Sequence, residues 1–142
     1  MIIISYTARV VGVSIATVVV LMSPLTVATA PAAAGASSSM ELTLGRGASL
    51  SLVFGKRTVT LTCAPEIGGT HPQAQAACRS LTSSRGSIRS LAEYAEPPLC
   101  PQDFVPYVAT IAGTWQGEPI ADGGVFSNEC VLRATTVSVF DF

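Results

Sequence analysis

Residues 97–106, Pro97-Pro98-Leu99-Cys100-Pro101-Gln102-Asp103-Phe104-Val105-Pro106, place four prolines and one cysteine in ten positions. Each proline fixes its own φ near −65° and pushes the residue before it toward extended geometry, so Glu96, Cys100 and Val105 are biased to β or polyproline II conformations. Such a stretch is neither a helix interior nor a central strand. With Cys100 bridged to the body of the protein, Gln102 and Asp103 stand on an extended, exposed, pre-stiffened loop. That is the shape a protease groove accepts from a substrate. A Pro-rich connector held by a structural disulfide would use the same residues.

The other residues able to do chemistry do not converge. His71 is the only histidine, and it lies in a Gly69-Thr70-His71-Pro72 turn with no G-x-S-x-G elbow to accompany it. A hydrogen-bonding structural role fits it better than a catalytic one. The carboxylates are scattered, with no pair spaced for glycosidase chemistry, and no phosphate loop is present. The sequence therefore predicts no enzyme, no cofactor and no metal site.

Cys63, Cys78, Cys100 and Cys130 are separated by 15, 22 and 30 positions, with no C-x2-C or H-x3-H pair to suit zinc. An even count in an exported chain predicts two disulfides, for which three pairings are possible. The simplest joins Cys63 to Cys78 and Cys100 to Cys130. Each such loop contributes about 3 to 4 kcal/mol in the chain-entropy model.

Export is predicted from the N-terminus. Arg9 precedes a mostly apolar run, Val10 to Met22, and small residues follow through Ala28-Thr29-Ala30 and Ala32-Ala33-Ala34-Gly35-Ala36. That order is the n-region, h-region and small-residue site of a signal peptide. Residues 1–36 are assigned to it, with cleavage near 34–36, residues 37–41 to a flexible leader, and residues 42–142 to one domain. Beyond Arg9 the chain carries seven basic and nine acidic residues. It has no basic patch to hold a phosphate backbone, which excludes nucleic acid as a partner, and after signal removal no membrane association is expected.

The elements that must position the loop are mostly strands. Glu41-Leu42-Thr43-Leu44 alternates ahead of Gly45-Arg46-Gly47, and Leu50 to Phe54 follows as its hairpin partner. Thr58 to Cys63 alternates most cleanly, with Val59, Leu61 and Cys63 on one face. Ala74, Ala77, Cys78 and Leu81 form a narrow apolar helical stripe behind Pro72. Ile88, Leu91, Ala92 and Ala95 predict a second short helix ended by Pro97-Pro98. Strands are expected at Tyr107–Ile111, at Thr114–Gly117 after an Ala112-Gly113 turn, at Val125-Phe126 after Asp122-Gly123-Gly124, and at Thr136–Phe140. Together they describe an antiparallel sheet with one or two helices laid on it.

Cys63-Ala64-Pro65, Gly69-Thr70-His71-Pro72, Ala77-Cys78 with Leu81, Cys100-Pro101, Trp115-Gln116-Gly117, Val125-Phe126-Ser127-Asn128-Glu129-Cys130 and Ser138-Val139-Phe140 occur in one order. This set resembles the signature of the Streptomyces subtilisin inhibitor family from about Leu42 to Phe142. The resemblance implies a secreted, extracellular bacterial inhibitor of subtilisin-like or other extracellular serine proteases. It implies an α+β fold, an antiparallel five-stranded sheet with two short helices, together with homodimerisation through the sheet and the disulfides Cys63–Cys78 and Cys100–Cys130. The reactive bond it implies is Gln102–Asp103, with Gln102 offered to the primary pocket (P1), Asp103 at P1′, Pro101 at P2 and Cys100 at P3. Cys100, Pro101, Phe104, Asn128 and Cys130 would support the loop, Asn128 by hydrogen bonds from beneath.

Two positions depart from the pattern. Proteins that resemble this one usually present Met, Lys or another large residue at P1 and an apolar residue after it. Burying the Gln102 amide without a partner costs about 1 to 3 kcal/mol, and Asp103 adds a negative charge beside an oxyanion-forming site. Both predict weaker inhibition of an ordinary subtilisin. Arg79, on an exposed helix face, replaces a small or acidic residue. The alternative is a non-inhibitory secreted binding protein on the same scaffold, such as a transglutaminase substrate presenting Gln102.

Overall fold

The alternation in Ser38–Ser49 (β1) places Met40, Leu42 and Leu44 on a buried face and Glu41 in solvent. This is the two-residue period of a strand covered on one side. The computed structural model describes residues 36–94 and 99–142. The export segment, apart from Ala36, lies outside the described residues, as do Ala95, Glu96 and the Pro97-Pro98 pair. Beside β1 run Leu52–Ala64 (β2) and Tyr107–Trp115 (β4), with Gly68–Gly69 (β3) and Glu118–Phe126 (β5) at the edges. The order is β3-β2-β1-β4-β5, every pair antiparallel. Leu42 faces Val59 on one side and Ile111 on the other.

Three helices cover the inner face: Ala74–Ser83 (α1), Ile88–Tyr94 (α2) and Glu129–Thr136 (α3), followed by a 3-10 turn, Val137–Phe140. Ala77, Cys78 and Leu81 are buried along α1, as their spacing predicts. They meet Leu42, Leu61 and Ile111 from the sheet and Leu132, Val139 and Phe140 from the C-terminal segment in one core. A fully buried Leu, Ile or Phe contributes about 1.5 to 3 kcal/mol. Cys63 is bonded to Cys78, which staples α1 to the end of β2. The second short helix is held from a distance. Asp122 on β5 accepts from Ser87 Oγ at 2.9 Å, from the Ile88 N–H at 2.9 Å and from the Arg89 N–H at 3.3 Å. Its carboxylate thus satisfies donors that a helix start leaves without intrahelical partners. Burial works against its charge, but these bonds and the Gly123 N–H outweigh burial and hold its pKa below the ordinary carboxylate value.

The fold class is the expected one, with strand boundaries moved. β1 runs straight through Gly45-Arg46-Gly47, and the chain reverses at Leu50-Ser51. The segments expected as separate strands at Leu50–Phe54 and Thr58–Cys63 are one strand. Pairing steps from Leu44↔Arg57 to Arg46↔Phe54, so β2 has one extra residue, and Gly55 at φ +57° lies in this bulge. Gly113 sits within β4, because an added Cβ would lie 2.3 Å from the Ser39 carbonyl oxygen. There glycine permits close strand approach, and the turn falls at Gln116-Gly117. Asp122-Gly123-Gly124 likewise lies within β5. The strand expected at Thr136–Phe140 is instead the end of α3 and the 3-10 turn, which begins with Val137 at φ +52°.

Candidate functional site

Residues 99–106 carry no regular secondary structure, and Pro101 to Val105 are exposed in an unbroken run. Leu99 is wholly exposed, Phe104 72 % exposed. Their apolar side chains are therefore free for contact outside the chain. The segment is nonetheless tied at both flanks. Cys100 is bonded to Cys130 across a Cα–Cα distance of 5.7 Å. The Val105 N–H donates to the Ser127 carbonyl at 3.0 Å, and the Pro106 carbonyl accepts from the Gly47 N–H at 3.0 Å, immediately before β4 begins. The loop is thus braced by α3, by the end of β5 and by β1.

Asn128 is the link between loop and scaffold. It is the N-cap of α3, in extended geometry, and its Oδ1 accepts from the Val131 N–H at 2.9 Å. Because that oxygen faces a donor, the amide nitrogen must face the loop. Nδ2 donates to the Pro101 carbonyl at 2.9 Å, to the Asp103 carbonyl at 3.1 Å and to Asp103 Oδ1 at 3.2 Å. The residues it grips lie on either side of Gln102. Asn128 is itself buried, 4 % exposed, so its orientation is fixed by surrounding structure. Asp103 is exposed, and one of its carboxylate oxygens accepts from Asn128. Among the described residues Gln102 and Phe104 make no side-chain hydrogen bond, and the loop is tied through Cys100, Pro101, Asp103 and Val105.

Next to this contact lies a charged relay. Arg46 Nε donates to Tyr107 Oη at 3.3 Å, and that hydroxyl donates to Glu129 Oε2 at 3.3 Å. Glu129 pairs with Arg133 one turn along α3 at 3.0 Å, and Arg133 also contacts Asp141. The bond from Arg133 holds the Glu129 carboxyl below its ordinary pKa against a smaller opposing effect of burial. The bond to Tyr107 raises the Arg46 guanidinium above its own. These residues steady the first turn of α3, where Asn128 and Cys130 sit.

His71 is buried away from the loop. Its Nδ1 accepts from the Gln73 N–H at 3.0 Å, so Nε2 carries the proton given to the Val139 carbonyl at 3.1 Å. It joins α1 to the C-terminal turn, the structural role its surroundings predict. Among the described residues no group of three His, Cys, Asp or Glu side chains is placed to hold a metal ion.

Sequence reasoning found the loop and Asn128 but missed the helix that Asn128 caps. The signal was present: an Asn-Glu start, Glu129 and Arg133 four apart, and Leu132 with Thr135 and Thr136 on one side. Thr136, Val137 and Val139, β-branched residues within Thr136–Phe140, point instead to a strand. Tyr107 and Arg46 carried no distinguishing pattern.

The α+β scaffold thus presents a braced, exposed, extended loop to solvent. The family described as subtilisin inhibitor-like matches residues 36–128. The chain is 44% identical over 103 residues to a subtilase-type protease inhibitor of Streptomyces fradiae, covering 72% of each protein. It is 42% identical over 113 residues to the subtilisin inhibitor of Streptomyces albogriseolus, covering 80% of this chain and 78% of that one. Among solved structures it resembles Streptomyces caespitosus sermetstatin, crystallised in complex with Bacillus licheniformis subtilisin. The TM-score is 0.64 at 33% identity, over 75% of this chain and 99% of that one. The protein belongs to the subtilisin inhibitor-like family, a family of inhibitors and not of enzymes.

Proposed function

We propose that the protein is a secreted inhibitor of subtilisin-type serine proteases that acts as a substrate held in place, with Gln102–Asp103 as the bond presented. The observation that carries this is the Asn128 amide, which holds Pro101 and Asp103 on either side of an exposed Gln102. Binding an extended peptide ordinarily costs about 0.5 to 1.5 kcal/mol per immobilised side chain plus loop ordering. A loop already tied by Cys100–Cys130, Asn128 and Ser127 avoids much of that cost. When a protease serine attacks the Gln102 carbonyl carbon, the leaving amine is that of Asp103. The bonds on Asp103 and Val105 keep that amine beside the acyl carbon, so resynthesis competes with hydrolysis. Titration of a subtilisin with the purified protein tests this, with loss of activity at one inhibitor per enzyme as the expected result.

Two finer features belong to the same proposal. Residues 1–36 direct export, and two disulfides suit the oxidising compartment reached. The sheet face opposite the helices, bearing Thr43, Thr58, Thr110 and the exposed Val125, pairs with a second copy of the chain. Sedimentation equilibrium at micromolar concentration checks the latter, with twice the chain mass expected.

A further inference from the structure

An apolar residue at position 103 would leave Asn128 Nδ2 with two acceptors, the carbonyls of Pro101 and Asp103, one for each of its hydrogens. Here a third is present, Asp103 Oδ1 at 3.2 Å. The carbonyl and the carboxylate of one residue thus converge on one buried nitrogen, which restrains both the Asp103 backbone and its χ1. A hydrogen bond to an ionised acceptor is about twice as strong as a neutral one.

We infer that Asp103 is a positioning residue, its carboxylate clamping the leaving-group side of the Gln102–Asp103 bond onto Asn128. The inference rests on the inhibitory function proposed above and assigns a role to a side chain that would otherwise count as a defect of the loop. In the acyl step the protease serine Oγ bonds to the Gln102 carbonyl carbon. The carbon–nitrogen bond to Asp103 breaks, and the Asp103 nitrogen takes the proton removed from the serine. In the reverse step that amine re-attacks the ester and the serine recovers its proton. The clamp keeps the amine in reach and favours the reverse step.

The test compares the parent with Asp103→Ala and Asp103→Asn, the latter retaining an acceptor oxygen at the same place. Two readouts are taken: hydrogen exchange of the Asn128 side-chain amide in the free protein, and the rate of cleavage at residues 102–103 by subtilisin. Asp103→Ala is expected to speed both about tenfold, a change of about 1.4 kcal/mol. Asp103→Asn is expected to restore both to within about threefold of the parent. Unchanged exchange and cleavage in Asp103→Ala would overturn the clamp, as would failure of Asp103→Asn to rescue. Changed exchange in a parent that inhibits nothing would instead leave the contact standing and remove the inhibitory function.

Discussion

The side-chain nitrogen of Asn128 lies 2.9 Å from the carbonyl oxygen of Pro101, and the oxygen of the same amide caps helix α3 through Val131. One planar group therefore joins the loop to the helix, and its two halves can be tested apart. Asn128→Asp keeps an acceptor for the Val131 N–H but turns an oxygen toward the Pro101 and Asp103 oxygens. That oxygen is buried against three others with no donor between them, so the variant is expected to melt below the parent and its loop to be cleaved at least about tenfold faster. Asn128→Ala loses the cap as well and is expected to cost about 1 to 2 kcal/mol of stability. Thermal melts with timed digestion measure both.

Gln102 is exposed and has no side-chain hydrogen bond among the described residues, so its replacement changes chiefly the offered side chain. Gln102→Met or Gln102→Leu removes an amide whose unpaired burial costs about 1 to 3 kcal/mol. Inhibition constants against subtilisin are expected to fall roughly 10- to 100-fold, with melting temperature unchanged.

The Asp122 carboxylate, held below its ordinary pKa, makes α2 acid-sensitive. A depressed folded-state pKa means that stability is fully present above the unfolded value, near about 3.9, and is lost as pH falls through the lower folded value. Melts from neutral to acid pH are expected to drop more steeply below about pH 4 in the parent than in Asp122→Asn, whose side chain does not titrate there. The exposed Glu129–Arg133 pair adds little to this slope.

Val137 holds φ +52° with ψ −127°, a region that disfavours a β-branched side chain, and its side chain is exposed. Val137→Gly removes the strain without removing core contacts. A gain of about 1 kcal/mol, or roughly 4 to 8 °C in melting temperature, is expected, and calorimetry measures it.

Alternation and proline chemistry carried much of this architecture into view. Met40, Leu42 and Leu44 alternate because one sheet face is covered, and the prolines with Cys100 mark a loop that can be neither helix nor strand. The glycines misled. Gly45, Gly47, Gly113 and Gly123 resemble turn residues, yet each permits close backbone or side-chain approach inside the sheet, a tertiary demand with no local signature. In α3, local β-branched propensity lost to the Asn128 cap and the packing of Leu132 and Thr136. The Asp103 contact was illegible for a related reason: side-chain direction follows from where Asn128 sits, 25 residues away in the chain.

The most direct measurement is titration of a subtilisin with the purified protein, followed by mass analysis of the recovered inhibitor. The proposed function predicts loss of activity at one inhibitor per enzyme, with slow, partial cleavage confined to Gln102–Asp103. Rapid digestion with the enzyme still active, or a cut elsewhere in the loop, would contradict it.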